Sequence, residues 1–444
     1  MEPTSIRFGG GATSTVLHPL VAVWVGLTIV LIVCLPRRYV IVPLLLAVLC
    51  IPKGQVLVLA GVHFTMARIL FLVVLARWAR PPLAGSFNSI DRVFMLWALS
   101  ASLIPSLEWM ESQALVKNLG DLLDAMGGYL AIRFLIHDAE DVRRTIKVLA
   151  FIAVIMAILM LSEQLTDRNV LGLLGGFPLT PDFRDGRIRS QGAFEHSILA
   201  GTFGATLLPL LVGLWSDGRD KVVSALGMVG ATVMTVTCFA STTLGAYAAG
   251  ILALCLWPLR KKMRLLRWGL VATLVGLHLV MHGPVWSLIE KVDLTGSSSS
   301  YHRYMLVDNT IRHFGEWWLL GYKYYNNWGF DMWDLSDQYV AYAVTGGLLT
   351  LLLFIGIISR SFAAVGTARK VVEGNRQEEW SLWCLGAALF AHVASYFGIG
   401  YFDQMQFAWF ALLVMISAAT AATTTSPVAE PMSETDLVCS YSAD

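Results

Sequence analysis

Long apolar runs alternate with short polar connections along most of the chain. Runs such as residues 16–35, 265–282 and 339–359 have about the length that a helix needs to cross ~30 Å of hydrocarbon. The pattern predicts an all-α fold, a polytopic integral membrane helical bundle of about 12–13 spans. The thirteen predicted spans are 16–35, 39–51, 64–79, 90–107, 119–136, 142–161, 197–215, 222–239, 243–259, 265–282, 338–359, 381–397 and 402–421.

Composition supports a membrane protein. Hydrophobic residues make up 56% of the 444 residues and charged residues only 14%, against roughly a quarter charged in soluble proteins. The net charge of +1 gives no field that would attract nucleic acid. The six cysteines show no metal-ligand spacing, so no metal and no other cofactor is predicted. The first run is too long for a signal-peptide core, so no cleaved leader is expected.

Clusters of Lys and Arg predict the orientation of the bundle. Six clusters fall on one side of the alternating spans, and cytoplasmic connections retain positive charge. The C-terminus is then cytoplasmic, with residues 1–425 as the membrane domain and residues 426–444 as a disordered tail. The clusters are Arg37/Arg38, Arg77/Arg80, Arg143/Arg144/Lys147, Arg219/Lys221, Arg260 to Arg267, and Arg369/Lys370/Arg376.

Two long connections, residues 162–196 and 283–337, are placed outside by the same alternation. The second lies between the tenth and eleventh spans and is predicted to form a large extracytoplasmic loop domain. Both carry arginines, and the planar guanidinium matches the oxygens of a phosphate or diphosphate. The arginines that qualify are Arg187, Arg189, Arg303 and Arg312. The alternative for the first pair is contact with lipid headgroups, or pairing with Asp182 and Asp185.

Two further groups of residues allow a structural or a functional interpretation. The aromatic residues of 317–333 fit an interfacial belt, which we favour, or a platform on which sugars stack. Arg68, Asp121 and Asp124 lie near the outer ends of their spans. A structural ion pair is favoured there over a proton relay.

Several patches resemble the O-antigen ligase and O-antigen polymerase superfamily. They are RSQGAFEHSILAG at 189–201, the surroundings of Arg303, LLGY at 319–322 and DLSDQYVAYAVTGG from Asp334, within a layout similar from Arg68 to about Ala421. The resemblance implies a bacterial inner-membrane glycosyltransferase that is active on the periplasmic side. Its donor would be a polyprenyl-diphosphate-linked glycan, without nucleotide sugar or essential metal, and its acceptor a hydroxyl of a glycan or lipid-glycan. Arg189 and Arg303 match the arginines that contact the donor diphosphate.

The chain also departs from the ligases. Ser336-Asp337 stands where they carry a His-Asn pair, and Ser241 to Gly245 lacks an arginine that often follows the serine there. The resemblance is therefore closer to the polymerase-like branch. Asp337 is the first candidate for the base that takes the acceptor proton, and His196 is the second. The other role for Asp337 is to cap the following helix.

The predicted function is transfer or polymerisation of a lipid-linked glycan in O-antigen or exopolysaccharide synthesis. Arg189 and Arg303 form the predicted cationic clamp, with Arg187 and Arg312 in reserve. The alternatives are a transporter or flippase for a lipid-linked glycan, and a non-catalytic subunit of a polysaccharide assembly complex. Other assembly proteins are possible partners besides the bilayer, the donor and the acceptor.

Overall fold

A computed structural model describes residues 15–52, 54–59, 62–78, 87–176, 178–184, 186–291 and 299–425. The predicted tail, residues 426–444, lies outside this part of the chain. The helices are α1 (Pro19–Cys34), α2 (Arg37–Cys50), α3 (Met66–Trp78), α4 (Ser89–Trp109), α5 (Ser112–Leu122), α6 (Gly128–Arg133), α7 (Ala139–Thr166), α8 (Ser197–Ser216), α9 (Lys221–Thr237), α10 (Ser241–Cys255), α11 (Met263–Val280), α12 (Leu288–Lys291), α13 (Ser299–Arg312), α14 (Phe314–Trp317), α15 (Gln338–Val371), α16 (Arg376–Ser395) and α17 (Asp403–Thr425). Two antiparallel hairpins pair β1 (Val56–Leu59) with β2 (Val62–Thr65), and β3 (Asp182–Arg184) with β4 (Arg187–Arg189).

Within the described residues, each of the thirteen predicted segments overlaps a helix; residue 79, at the end of the third segment, lies outside this part of the chain. The all-α class is confirmed, and six of the described helices are long and apolar enough to cross a membrane, which suggests a multi-pass membrane protein. The predicted span 119–136 is divided into α5, a π-helical turn at Leu123–Gly127, and α6. Beside this turn, the Arg68 guanidinium donates to both carboxylate oxygens of Asp124, each at 2.8 Å. The favoured structural pair is therefore present.

Helix α17 lies at the centre of the bundle. It packs against α2, α4, α6, α7, α8, α15 and α16. Aromatic rings fill the space around it, and the Phe94 ring stacks on Tyr129 with centroids 3.9 Å apart and meets Phe410 edge-on at 5.0 Å. Helix α11 lies at the edge, where none of its side chains is buried within the chain.

One end of the bundle is held together by ion pairs between connections. Arg37 pairs with Asp141 at 3.1 Å, and Arg143 pairs with Asp217 at 2.8 Å. Gln377 donates to the same Asp217 at 2.7 Å, which joins this group to the α15–α16 turn. These connections carry basic clusters from which the orientation was predicted, so the structure gathers those clusters at one end; Arg80 lies outside the described residues.

The connection 283–337 lies at the opposite end. Its described part forms short helices that pack against α15, and no separate large loop domain is evident there. The predicted loop domain is corrected accordingly. The physical reason is that the connection has little core of its own: Leu306 and Met332 are buried together with Val340 and Val344 of α15.

Helix α15 is broken near its outer end at Gly347, which has φ +69°. The peptide groups freed by the break are bonded by the segment before α15. Leu348 N–H donates to the Trp318 carbonyl at 2.9 Å, and Tyr322 N–H donates to the Val344 carbonyl at 2.7 Å. The segment 318–322 therefore fixes the direction of the first two turns of α15, which begin at the candidate site.

Candidate functional site

Asp337 is the residue immediately before α15 and is only 1% exposed. Its Oδ1 accepts the Val340 N–H at 3.0 Å, which satisfies one of the amides left unbonded at the start of a helix. Its Oδ2 is buried and has no hydrogen-bond partner among the described residues. The predicted capping role is real, and it uses only half of the carboxyl group.

Arg189 ends the β3–β4 hairpin and is only 5% exposed. Its Nε donates to the Cys238 carbonyl at 3.0 Å, at the end of α9. A second nitrogen lies 3.5 Å from Asp182 on the paired strand. This ion pair is one of the structural alternatives raised by the sequence.

Arg303 lies in the first half of α13 and is 7% exposed. Its Nε donates to the Gly398 carbonyl at 3.2 Å, and the same oxygen accepts the Thr242 hydroxyl at 3.3 Å. Arg189 is thus anchored at Cys238, and Arg303 at the Gly398 carbonyl, which also holds Thr242 of the turn that follows Cys238. The structure brings together two arginines that are more than a hundred residues apart in sequence.

Electrostatics link these arginines to the carboxylates around them. Burial lowers the pKa of the Arg303 guanidinium, the carboxylates of Asp334 and Asp337 raise it, and the positive charges of Arg184 and Arg189 lower it again. Like charges held close together in a poorly hydrated place favour the arrival of an anion. Because the carboxylates of Asp182, Asp334 and Asp337 lie among these arginines, the site holds charges of both signs.

Burial also shifts the pKa of Asp337. It raises the value to about 7, although the N–H groups of Val340 and Tyr339 and the charge of Arg303 act in the opposite direction. A carboxyl group with a pKa near neutrality exchanges protons readily at physiological pH. Asp337 therefore has the protonation behaviour expected of a general base.

His196 caps α8, where its Nδ1 accepts the Ile198 N–H at 3.1 Å. Burial lowers the pKa of His196 and the charge of Arg189 lowers it further, against Asp182 and Asp334. The ring is then neutral, and a neutral ring whose Nδ1 accepts carries its proton on Nε2. In that tautomer His196 can donate a hydrogen bond from Nε2.

The two reserve arginines differ in position: Arg187 is near the site on strand β4, and Arg312 is remote from it. Arg187 is exposed and its guanidinium sits 5.3 Å from the centroid of the Phe239 ring. Arg312 pairs with Asp308 at 2.7 Å. It follows Arg303 by nine residues, which places it about 13 Å further along α13 and on the opposite face. The structure does not bring Arg312 to the Arg189–Arg303 site.

The connection between α16 and α17, residues 396–401, was not expected to take part. Besides the Gly398 carbonyl, it supplies the Tyr396 carbonyl, which accepts the Gln338 N–H at 2.8 Å. A Cβ on Gly398 would lie 2.4 Å from the Thr242 hydroxyl oxygen, so only glycine permits this approach. The sequence signal was the spacing of Gly398 and Gly400 between two spans.

The aromatic residues of the 283–337 connection stack largely on one another. The Trp328 ring is stacked with His313 at 4.8 Å and with Tyr322 at 5.5 Å. Trp317 is buried and donates to the Thr310 carbonyl at 2.7 Å. Trp318 and Trp333 are exposed, as an interfacial belt requires.

The described residues thus combine six candidate membrane-spanning helices with two buried arginines and a buried carboxyl group at one end of the bundle. Within the described residues, no three His, Cys, Asp or Glu side chains are grouped as a metal site. No family model matches the chain, and no curated protein matches it either.

Proposed function

We propose that the chain transfers or polymerises a glycan from a polyprenyl-diphosphate donor to a hydroxyl acceptor in O-antigen or exopolysaccharide synthesis. The observation that carries the proposal is the position of Asp337. Its Oδ2 is buried without a hydrogen-bond partner among the described residues, close enough to Arg303 for their charges to interact. A carboxyl group held beside a cationic site supplies a base next to a diphosphate leaving group.

The reaction divides between the two kinds of group. The acceptor hydroxyl oxygen forms a bond to the anomeric carbon, and its proton passes to Asp337. The bond from that carbon to the phosphate oxygen breaks, and its electron pair leaves with the polyprenyl diphosphate. Arg189 and Arg303 stabilise the negative charge that develops on the leaving oxygen. His196 adds a hydrogen bond from Nε2.

The membrane arrangement in this proposal is that predicted from the sequence, with 12–13 spans in a bacterial inner membrane. The end with the paired basic connections faces the cytoplasm, and the end with Asp337 faces the periplasm. The resemblance to the O-antigen ligase and polymerase superfamily supports the donor and the side of the membrane. Because Ser336-Asp337 stands where the ligases carry a His-Asn pair, the proposal assigns the role of the base to Asp337.

A second candidate function, transport of a lipid-linked glycan, is favoured by the break in α15. Discontinuous helices that expose peptide groups are common at the binding sites of transporters. Here, however, the freed groups of Val344 and Leu348 are bonded by the 318–322 segment. A non-catalytic assembly subunit is the third candidate, and it would bind the donor without cleaving it.

Reconstitution in liposomes separates these functions. The purified protein receives a polyprenyl-diphosphate-linked oligosaccharide and a hydroxyl acceptor glycan, and the release of polyprenyl diphosphate is measured. We expect wild-type release and a loss of about 10²–10³-fold in Arg303→Gln, because a donor to the developing charge is removed. Arg312→Gln is the matched control on the opposite face of α13 and should retain activity within about twofold.

The alternatives give different results in the same experiment. Movement of the labelled lipid across the bilayer without release of polyprenyl diphosphate would establish transport. Binding without release or movement would leave the assembly role. Undiminished release in Arg303→Gln would remove that residue from the mechanism.

A further inference from the structure

A cavity of about 390 Å³ lies at the same end of the bundle and is lined by Gln338, the residue that follows Asp337. Gln338 lines it and is held by two hydrogen bonds to the 396–401 connection, from its own N–H to the Tyr396 carbonyl and from Tyr401 N–H to its Oε1. That connection also anchors Arg303. The 396–401 connection therefore holds residues of both the cavity and the Arg189–Arg303 site.

Two buried polar atoms in the lining residues lack partners. Trp97, 4% exposed, has no hydrogen-bond acceptor for its Nε1 among the described residues, and Gln404, 3% exposed, has no donor for its Oε1. The amide nitrogen of Gln404 is fixed by the carbonyls of Ala193 at 2.7 Å and Ile51 at 3.2 Å. An unmet donor and an unmet acceptor in one cavity are both costly to bury.

The two atoms need hydrogen-bond partners of opposite kinds. Trp97 Nε1–H needs an acceptor and Gln404 Oε1 needs a donor. A hydroxyl group is both, whereas an anion satisfies only the tryptophan and a cation only the glutamine. Asp121, Asp124 and Asp403 line the cavity together with one cation, Lys117, which pairs with Asp121 at 2.7 Å. Carboxylate oxygens accept hydroxyl hydrogens, and the net negative charge of the lining repels phosphate. The lining matches an uncharged ligand that is rich in hydroxyl groups.

Aromatic rings complete this chemistry. Tyr342 and Phe402 line the same cavity and offer apolar surface for the C–H faces of a sugar ring. A lipid chain would leave the polar atoms of Trp97 and Gln404 unbonded, so it fits less well. A volume of about 390 Å³ lies within the usual range for small-molecule sites.

We propose that this cavity binds the sugar units of the acceptor glycan and presents its hydroxyl to Asp337. The inference rests on the proposed function, because it takes Asp337 as the base. It adds that acceptor and donor occupy opposite sides of the Asp337–Gln338 pair. Specificity for the acceptor sugar then depends on the cavity and not on the arginines.

The test measures sugar binding and diphosphate binding separately. The detergent-purified chain is applied to an array of bacterial oligosaccharides without lipid, and farnesyl diphosphate is titrated as the diphosphate probe. Ala101→Trp fills the cavity, since Ala101 lines it, and Leu99→Trp on the exposed side of the same helix is the matched control. Gln406→Leu, which removes one lining amide, is a milder second variant.

We expect the wild-type chain and Leu99→Trp to retain specific glycans. Ala101→Trp should weaken their binding at least tenfold, and Gln406→Leu severalfold, with farnesyl diphosphate affinity unchanged within about twofold. Arg303→Gln should show the reverse pattern. Gln406→Leu keeps the comparison decisive if Ala101→Trp does not fold.

The two proposals fail in different ways. If no glycan is retained, or if both cavity variants bind glycans as the wild type does, the cavity holds water only and the inference is overturned. If glycans bind at the cavity but farnesyl diphosphate does not bind to the wild type, the donor assignment fails and the sugar subsite stands.

Discussion

At the residue scale, Asp337 combines two roles in one carboxyl group. Oδ1 begins α15 by accepting an amide hydrogen, and Oδ2 is left for chemistry. An asparagine keeps the acceptor that caps the helix but cannot take a proton. Asp337→Asn therefore separates the structural role from the functional one.

This substitution should change how stability depends on pH. The pKa of Asp337 is raised from 3.8 to about 7 in the folded chain, so its stabilising contribution is complete below pH ~4 and is lost as pH rises to 7. Between pH 5.5 and 8 the loss is about 2 kcal/mol, at 1.36 kcal/mol per pH unit. Asp337→Asn should not show this loss, measured as the change in Tm between the two pH values in detergent.

Asp331→Asn provides the control, because this residue lies in the same connection and asparagine tolerates its positive φ of +61°. It should follow the wild type at both pH values. If Asp337→Asn and the wild type lose the same stability between pH 5.5 and 8, Asp337 does not titrate in this range and is only a cap.

At the element scale, the direction of the first turns of α15 depends on the break at Gly347. Gly347 takes a left-handed conformation, and a Cβ there would lie 2.6 Å from the Leu319 carbonyl oxygen. Alanine in that conformation costs about 1–2 kcal/mol, and the clash adds to it. We expect Gly347→Ala to lower the Tm by several degrees and to weaken transfer, because the turns that carry Asp337 change direction.

Gly366→Ala is the matched change further along the same helix, where a Cβ meets nothing within 4 Å. It should leave the Tm unchanged or raise it slightly, since alanine is the better helix former. Equal effects of the two alanines would show that the break does not support the site.

The sequence predicts one continuous span over 338–359 and did not predict the break. The two glycines that permit the turn, Gly346-Gly347, end the DLSDQYVAYAVTGG patch. The sequence could not show which groups bond the peptide groups freed by the break. Trp318 and Tyr322 bond the freed peptide groups across 30 and 22 residues, and such pairing depends on tertiary packing rather than local preference.

At the scale of the whole molecule, orientation is open to a direct test. Phe330→Cys places a thiol at an exposed position of the 283–337 connection, and Arg219→Cys places one in the basic turn at the other end. In intact cells a membrane-impermeant maleimide should label only Phe330→Cys above the background of the native cysteines. Arg219→Cys should be labelled only after permeabilisation. The reverse result would invert the proposed topology and move the site to the cytoplasmic face.

The helical bundle was predictable because a chain in hydrocarbon must bond its own peptide groups, which leaves hydropathy to mark the helices. The candidate site was less predictable from the sequence than the bundle. Arg189 and Arg303 were singled out by residue type and resemblance, but their common anchoring required Cys238, Thr242 and Gly398, whose contribution is through backbone or hydroxyl oxygens. Arg312 had the same chemistry in sequence, and only the helical geometry of α13 separates it from Arg303.

The central claim is that Arg189 and Arg303 bind one diphosphate. Its most direct test is a double-mutant cycle of Arg189→Gln and Arg303→Gln on the affinity for farnesyl diphosphate, measured by calorimetry in detergent. We predict that each substitution weakens binding by about 10–100-fold, from the loss of a charge-assisted contact. The two effects should couple by about 0.5–3 kcal/mol, because both groups act on one ligand. Variants that bind like the wild type, or losses that simply add, would contradict the account.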